Sequence, residues 1–161
     1  MRSILLLLAT LILGLPATAS AQGVEFTRIW PAWRDTASFV RISEYFGGKE
    51  NSGRQTMLRT HPESRDGYYF LTRVKNEGTP RAGVRFVLEI ITPDSPQPKT
   101  FTFPASLPAR SHVFNLGLTG EDWPGEDVHP VAWRLRLLDA EDNVLSSSHS
   151  FLWQMPDDAT E

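Results

Sequence analysis

Residues 84–103 read Val84-Arg85-Phe86-Val87-Leu88-Glu89-Ile90-Ile91-Thr92-Pro93-Asp94-Ser95-Pro96-Gln97-Pro98-Lys99-Thr100-Phe101-Thr102-Phe103. Val84, Phe86, Leu88 and Ile90 alternate with Arg85, Val87, Glu89 and Ile91, and Phe101 and Phe103 alternate with Thr100 and Thr102. Side chains of a strand point to opposite faces in turn, so a period of two marks a strand with one buried face. A proline-rich turn from Pro93 to Pro98 separates the two runs, which makes them a hairpin.

The same period recurs outward from this hairpin. Upstream, Tyr68 to Lys75 sets Phe70, Thr72 and Val74 against Tyr69 and Leu71, after a turn over His61 to Gly67. Gln55 to Thr60 and Val24 to Trp30 are further strands, the latter ending at Pro31. Downstream, His112 to Leu118 aligns Phe114, Leu116 and Leu118, and Val131 to Leu137 aligns Val131, Trp133, Leu135 and Leu137. After a turn at Asp139 to Asn143, the last strand places Leu145, Ser147, His149, Phe151 and Trp153 on one face. The expected core is Phe70, Val74, Phe86, Leu88, Phe101, Phe103, Leu116, Trp133, Leu135 and Phe151.

One segment departs from this rhythm. Phe39, Ile42 and Phe46 fall at helical spacing, with Asp35 or Thr36 able to cap the start and Gly47-Gly48 able to end it. One short helix is expected near residues 36–46.

Seven to eight short strands in a single domain, with no repeat and no dividing linker, predict a mainly β antiparallel sandwich. The order of a strand ending in Asn76-Glu77-Gly78, a proline-turned hairpin and a last hairpin over Asp139 to Asn143 resembles that of immunoglobulin-like domains, here of an exported bacterial protein. The resemblance spans about residues 68–153. The Cys–Trp–Cys arrangement of antibody domains is missing. The resemblance implies a sandwich and no particular activity.

The N-terminus reads as a secretory leader. Arg2 is followed by an apolar run from Ile4 to Leu15, then by Ala19-Ser20-Ala21 as a small-residue cleavage site. The run is too short for the roughly 20 residues of a membrane span. The expected organisation is a leader at 1–21, a sandwich domain at 22–153 (strand, helix and loop at 22–67, core at 68–153) and a polar tail at 154–161. An exported product, periplasmic or secreted, follows. An outer-membrane barrel is excluded by the interrupting prolines and the polar tail.

Composition narrows the function further. The net charge of −3 lacks the basic excess of a nucleic-acid binder. The absence of cysteine removes a thiol nucleophile, a lipoprotein anchor and a cysteine zinc site. Residues 24–99 carry 12 basic and 9 acidic groups, whereas residues 100–161 carry 3 and 10. That asymmetry reads either as two halves that complement each other or as a face for an anionic partner.

His61, His112, His129 and His149 lie in separate segments without paired-ligand spacing. The acidic loop from Glu121 to His129 has oxygen ligands for a hard cation but not the spacing of an EF-hand. No nucleophilic serine turn and no phosphate loop is present. No metal, cofactor or catalytic residue is therefore assigned, and an enzyme, as a metal-assisted hydrolase, ranks last.

The aromatic side chains carry the functional signal. Trp30, Trp33, Tyr45 and Trp123 lie in loops or near strand ends, with Arg34 beside the first two. Rings so placed either anchor a protein partner, stack on sugars or plug the end of the sandwich. The leading expectation is a non-catalytic binding or structural domain with a protein partner in the cell envelope. A carbohydrate-binding module is the alternative.

Overall fold

A computed structural model describes residues 23–40, 44, 47, 48, 50 and 53–153. Eight strands form: β1 (Val24–Arg34), β2 (Gln55–Arg59), β3 (Gly67–Asn76), β4 (Arg81–Thr92), β5 (Ser95–Leu107), β6 (Arg110–Thr119), β7 (Ala132–Leu138) and β8 (Val144–His149). They make two four-stranded sheets of order β1-β3-β6-β2 and β5-β4-β7-β8. Phe70, Val74, Phe114, Leu116 and Leu118 of the first sheet share one buried cluster with Phe86, Leu88, Ile90, Leu135 and Leu137 of the second. The mainly β sandwich expected from the alternation is the architecture observed.

Pairing corrects the expectation of a wholly antiparallel sandwich. β2 runs parallel to β6, Gln55 opposite Val113 and Arg59 opposite Gly117, whereas β3 runs antiparallel to β6. The chain turns back between β2 and β3, but β6 inserts between them, so β2 and β6 must point the same way. Thr119 holds this corner, its hydroxyl donating to the His61 carbonyl at 2.9 Å and accepting from the His61 N–H at 3.0 Å.

The β4–β5 hairpin forms, but its turn shrinks to residues 93–94 and β5 absorbs Pro96, Pro98 and Pro104. β5 pairs on one side only, and an edge strand tolerates prolines that a central strand would reject. Asp139 closes the β7–β8 hairpin, its carboxylate accepting from the backbone of Asn143 at 2.8 Å and Glu141 at 3.0 Å.

Both edge strands along one side carry a bulge, and each bulge inverts which residues face inward. In β1, Phe26 opposes Val74 and Arg28 opposes Arg73, leaving Thr27 as the extra residue. The strand then runs on through Pro31 to Arg34. Phe26, Ile29 and Trp33 pack against the core, while Arg28 and Trp30 are exposed. In β8, Ser146 opposes Leu137 and Val144 opposes Leu138, so Leu145 is the extra residue. Ser147 and His149 therefore lie opposite Arg136 and Arg134 on the outer face, not inward as the alternation predicts. The two edges meet where the Phe26 N–H donates to Ser146 Oγ at 3.1 Å, 120 residues away in sequence.

Phe151 is not core. β8 stops at His149, and Ser150 closes it by donating its N–H to the Trp133 carbonyl at 2.9 Å and accepting from the Trp133 N–H at 3.0 Å. A 3-10 turn over Phe151–Trp153 follows and leaves Phe151 86% exposed. Phe101 and Trp133 are only partly buried against the cluster, and the remaining expected core residues are buried.

The helical segment is represented by a 3-10 turn at Thr36–Ser38, capped by Asp35, whose carboxylate accepts from the Ser38 N–H at 2.9 Å. Glu44 and Gly47 are helical. The rest of the expected helix, Tyr45 included, lies outside the described residues, as do the leader and the tail.

Candidate functional site

Cross-strand partners share a face, so the pairing maps the outer surface of the first sheet row by row. One row is Arg28, Arg73, Val113 and Gln55; the next is Trp30, Leu71, Asn115 and Met57; the third is Ala32, Tyr69, Gly117 and Arg59.

The third row is covered. Phe39 packs on Tyr69 with ring centroids 4.7 Å apart, and Arg59 lies 5.4 Å over the Phe39 ring. The Tyr69 hydroxyl donates to the Arg65 carbonyl at 2.7 Å and accepts from Arg59 Nε at 2.8 Å. Arg59 grips Glu50 through both terminal nitrogens, and Arg65 reaches Glu44 at 3.0 Å. The Arg59 hydrogen bond holds the Glu50 carboxyl below its usual range, and burial pushes the Tyr69 hydroxyl up. Tyr69 is fully buried although it lies on the outer side of its sheet.

The first two rows are open at the β1–β3 end. Trp30 is 53% exposed, and Arg28 lies 4.8 Å from its ring centroid. Arg73 is exposed beside Arg28. Arg34 is half-buried further along the same face, opposite Gly67.

The other candidates turn away from this surface. Trp33 is three residues from Trp30 with no bulge between them, so it faces inward and packs against the core. Its Nε1 is buried without a hydrogen-bond partner. Trp123 is also buried, at 5% exposure, against Tyr68 at 4.6 Å, and its Nε1 donates to the Gly125 carbonyl at 3.0 Å. The loop tryptophan thus plugs the end of the sandwich and is not a free stacking platform. Trp33 and Trp123 do share a cleft of about 460 Å3, with Arg65 and Asp66 at its wall. Asp66 is already engaged by the backbone and hydroxyl of Thr36. Trp30, Trp33 and Trp123 therefore do not form one exposed row.

The histidines remain apart. His61 Nε2 lies 3.1 Å from Asp122, His112 Nε2 lies 2.8 Å from the Thr56 hydroxyl, and His149 Nδ1 lies 3.0 Å from the Ser150 carbonyl. Burial lowers the pKa of His112. Among the described residues no three metal-ligating side chains converge. Asp122 of the acidic loop pairs with His61, and Arg85 pairs with Asp142, so two contacts do join the basic half of the chain to the acidic half. Arg134 and Arg136 add two more across the same division, gripping Glu89 at 2.7 and 3.3 Å.

Sequence reasoning singled out Trp30 and Arg34 but not Arg73 or Leu71, which complete the surface. Only the register of β1 against β3 brings them together, and the bulge at Thr27 sets that register.

No protein-family model and no curated protein matches the chain. Among solved structures the chain is similar to an immunoglobulin-like protein from Pseudomonas aeruginosa, at 19% identity over 81% of this chain and 96% of that one, with a TM-score of 0.33.

Proposed function

We propose that this chain is an exported, non-catalytic binding domain that docks a protein partner of the cell envelope on the open outer face of β1 and β3. The observation that carries this reading is Trp30. A bulge turns its ring out of the sandwich, where the Arg28 guanidinium lies 4.8 Å from the ring centroid and Leu71 is the cross-strand partner. Large rings held rigid on a surface are the side chains that dominate interface energies. Export rests on the leader at 1–21, and sequencing mature protein to an N-terminus at Gln22 tests it.

A saccharide site in the cleft beside Trp33 and Trp123 is the second reading. It needs a free ring face, and Tyr68 lies against Trp123.

Photo-crosslinking separates the two. A benzophenone side chain in place of Trp30 is expected to give one discrete protein adduct in cells that make the chain. The same group in place of exposed Thr102, on the opposite sheet, should give none. Equal labelling from both positions, or none from position 30, overturns the docking face.

A further inference from the structure

The open face holds two positive charges that face each other. Arg28 and Arg73 are direct cross-strand partners, an arrangement that destabilises a sheet because the like charges sit on adjoining strands. Among the described residues no carboxylate lies within salt-bridge distance of either guanidinium, or of Arg34. Elsewhere on the sandwich, four strand arginines are neutralised from within: Arg59 by Glu50, Arg134 and Arg136 by Glu89, and Arg85 by Asp142. Further along β3 the charge is balanced again, Lys75 lying opposite Glu25 and pairing with Glu77 at 2.6 Å. A depression of about 490 Å3 opens beyond Arg73, lined by Lys75, Glu77 and Arg110, so along β3 the unneutralised charge is confined to the Arg28–Arg73 row.

This inference rests on the docking reading above and names the chemistry of the partner. We propose that the face takes an extended acidic segment of a protein, one carboxylate bridging Arg28 and Arg73 and an apolar side chain two residues on lying against Trp30 and Leu71. The spacing follows from the rows. The Arg28–Arg73 pair and the Trp30–Leu71 pair are two residues apart along both strands. Two residues of an extended peptide cover the same distance, about 6.6–6.8 Å. A guanidinium pair recognises a carboxylate by charge-assisted hydrogen bonds, and an exposed indole against leucine supplies the apolar contact. An anionic membrane is disfavoured because the chain as a whole is acidic, at net −3, and a flat lipid surface would meet more of it than this face.

The test uses a fluorescein-labelled peptide of sequence Glu-Ala-Leu-Ala-Glu-Ala-Leu, read by anisotropy against the full mature chain. Saturable binding is expected, weakening as salt is raised. Arg28→Glu and Arg73→Glu should each weaken it by about tenfold or more, and the double variant should instead bind the peptide with Lys in place of Glu. Both positions are exposed, so the variants should stay folded, the single variants melting no lower than the parent because each sets opposite charges across the pair. No binding, or binding unchanged in the variants, overturns the acidic-segment proposal. Binding to phosphatidylcholine vesicles only when phosphatidylglycerol is included, with none to the peptide, overturns it in favour of a membrane. If the peptide fails while the position-30 crosslink persists, the docking reading stands and only the acidic chemistry falls. If both fail, both fall.

Discussion

Replacing Gly117 by alanine tests whether the outer face of the first sheet is a second packed layer. Gly117 lies on β6 directly opposite Tyr69, and a Cβ there would sit 2.4 Å from Tyr69 Cε1 and 2.8 Å from Cζ. Such contacts are far inside van der Waals distance, and the ring has nowhere to go. Phe39 packs against it, and its hydroxyl is fixed between the Arg65 carbonyl and Arg59. Overpacking a filled site costs about 1–3 kcal/mol, and each hydrogen bond given up by a displaced hydroxyl adds about 1 kcal/mol. Gly117→Ala should therefore lose about 2–4 kcal/mol in urea unfolding followed by tryptophan fluorescence. Gly47→Ala is the control, because nothing lies within 4 Å of its added carbon. It should move stability by no more than about 0.5 kcal/mol. Shrinking the ring with Tyr69→Leu should make Gly117→Ala cheaper than it is alone, a coupling that only contacting residues show. A loss below about 0.5 kcal/mol for Gly117→Ala would refute the packing, because the ring would then be free to swing away.

Trp133→Ala removes a ring packed edge-on against Phe70 at 5.5 Å and should cost about 3–5 kcal/mol in the same assay; under about 1 kcal/mol would mean the ring contributes nothing to the core. Glu89 is held below the usual carboxylate value of 4.5, first by its hydrogen bonds to Arg134. A depressed pKa means its contribution is present above the unfolded value and lost as pH falls through the folded one. Stability should therefore drop on acidification below about pH 4.5, and Glu89→Gln should lower neutral-pH stability while flattening that drop. An unchanged slope would remove Glu89 as a cause. Asp122 is spent on His61, so melting midpoints in EDTA and in millimolar calcium should agree within error. A calcium-induced rise of several degrees, abolished by Glu126→Gln with Asp127→Asn, would make the acidic loop a site after all.

The sandwich itself was legible because β3, β4, β6 and β7 keep strict alternation through long buried runs, as Phe86, Leu88 and Ile90 do opposite Leu137, Leu135 and Trp133. The site was less so, and the reason is parity. One extra residue at Thr27 reverses every later side chain of β1, and one at Leu145 does the same in β8, yet neither threonine nor leucine marks a bulge in composition. Trp30 and Trp33 look alike in sequence and end on opposite faces. Trp123 does lie in a loop, but its burial was illegible for another reason. Its burial depends on Tyr68 of β3, which is far from it in sequence and meets it only in the folded sandwich. The parallel β2–β6 pair joins residues as far apart as Gln55 and Val113, and no local pattern encodes such a partner.

The seam between Phe26 and Ser146 also sets an order in time. Chains are made from the N-terminus, so β1 emerges before its edge partner, which follows 120 residues later. At about 5–20 residues per second, β1 waits on the order of ten seconds before β8 exists to meet it. Until then Phe26 can stack on Phe86 of β4 and β1 can pair with β3, but its edge has no partner in the second sheet. The Phe26–Ser146 seam is therefore the contact that waits for the last hairpin, and completing that hairpin is what joins the two edges.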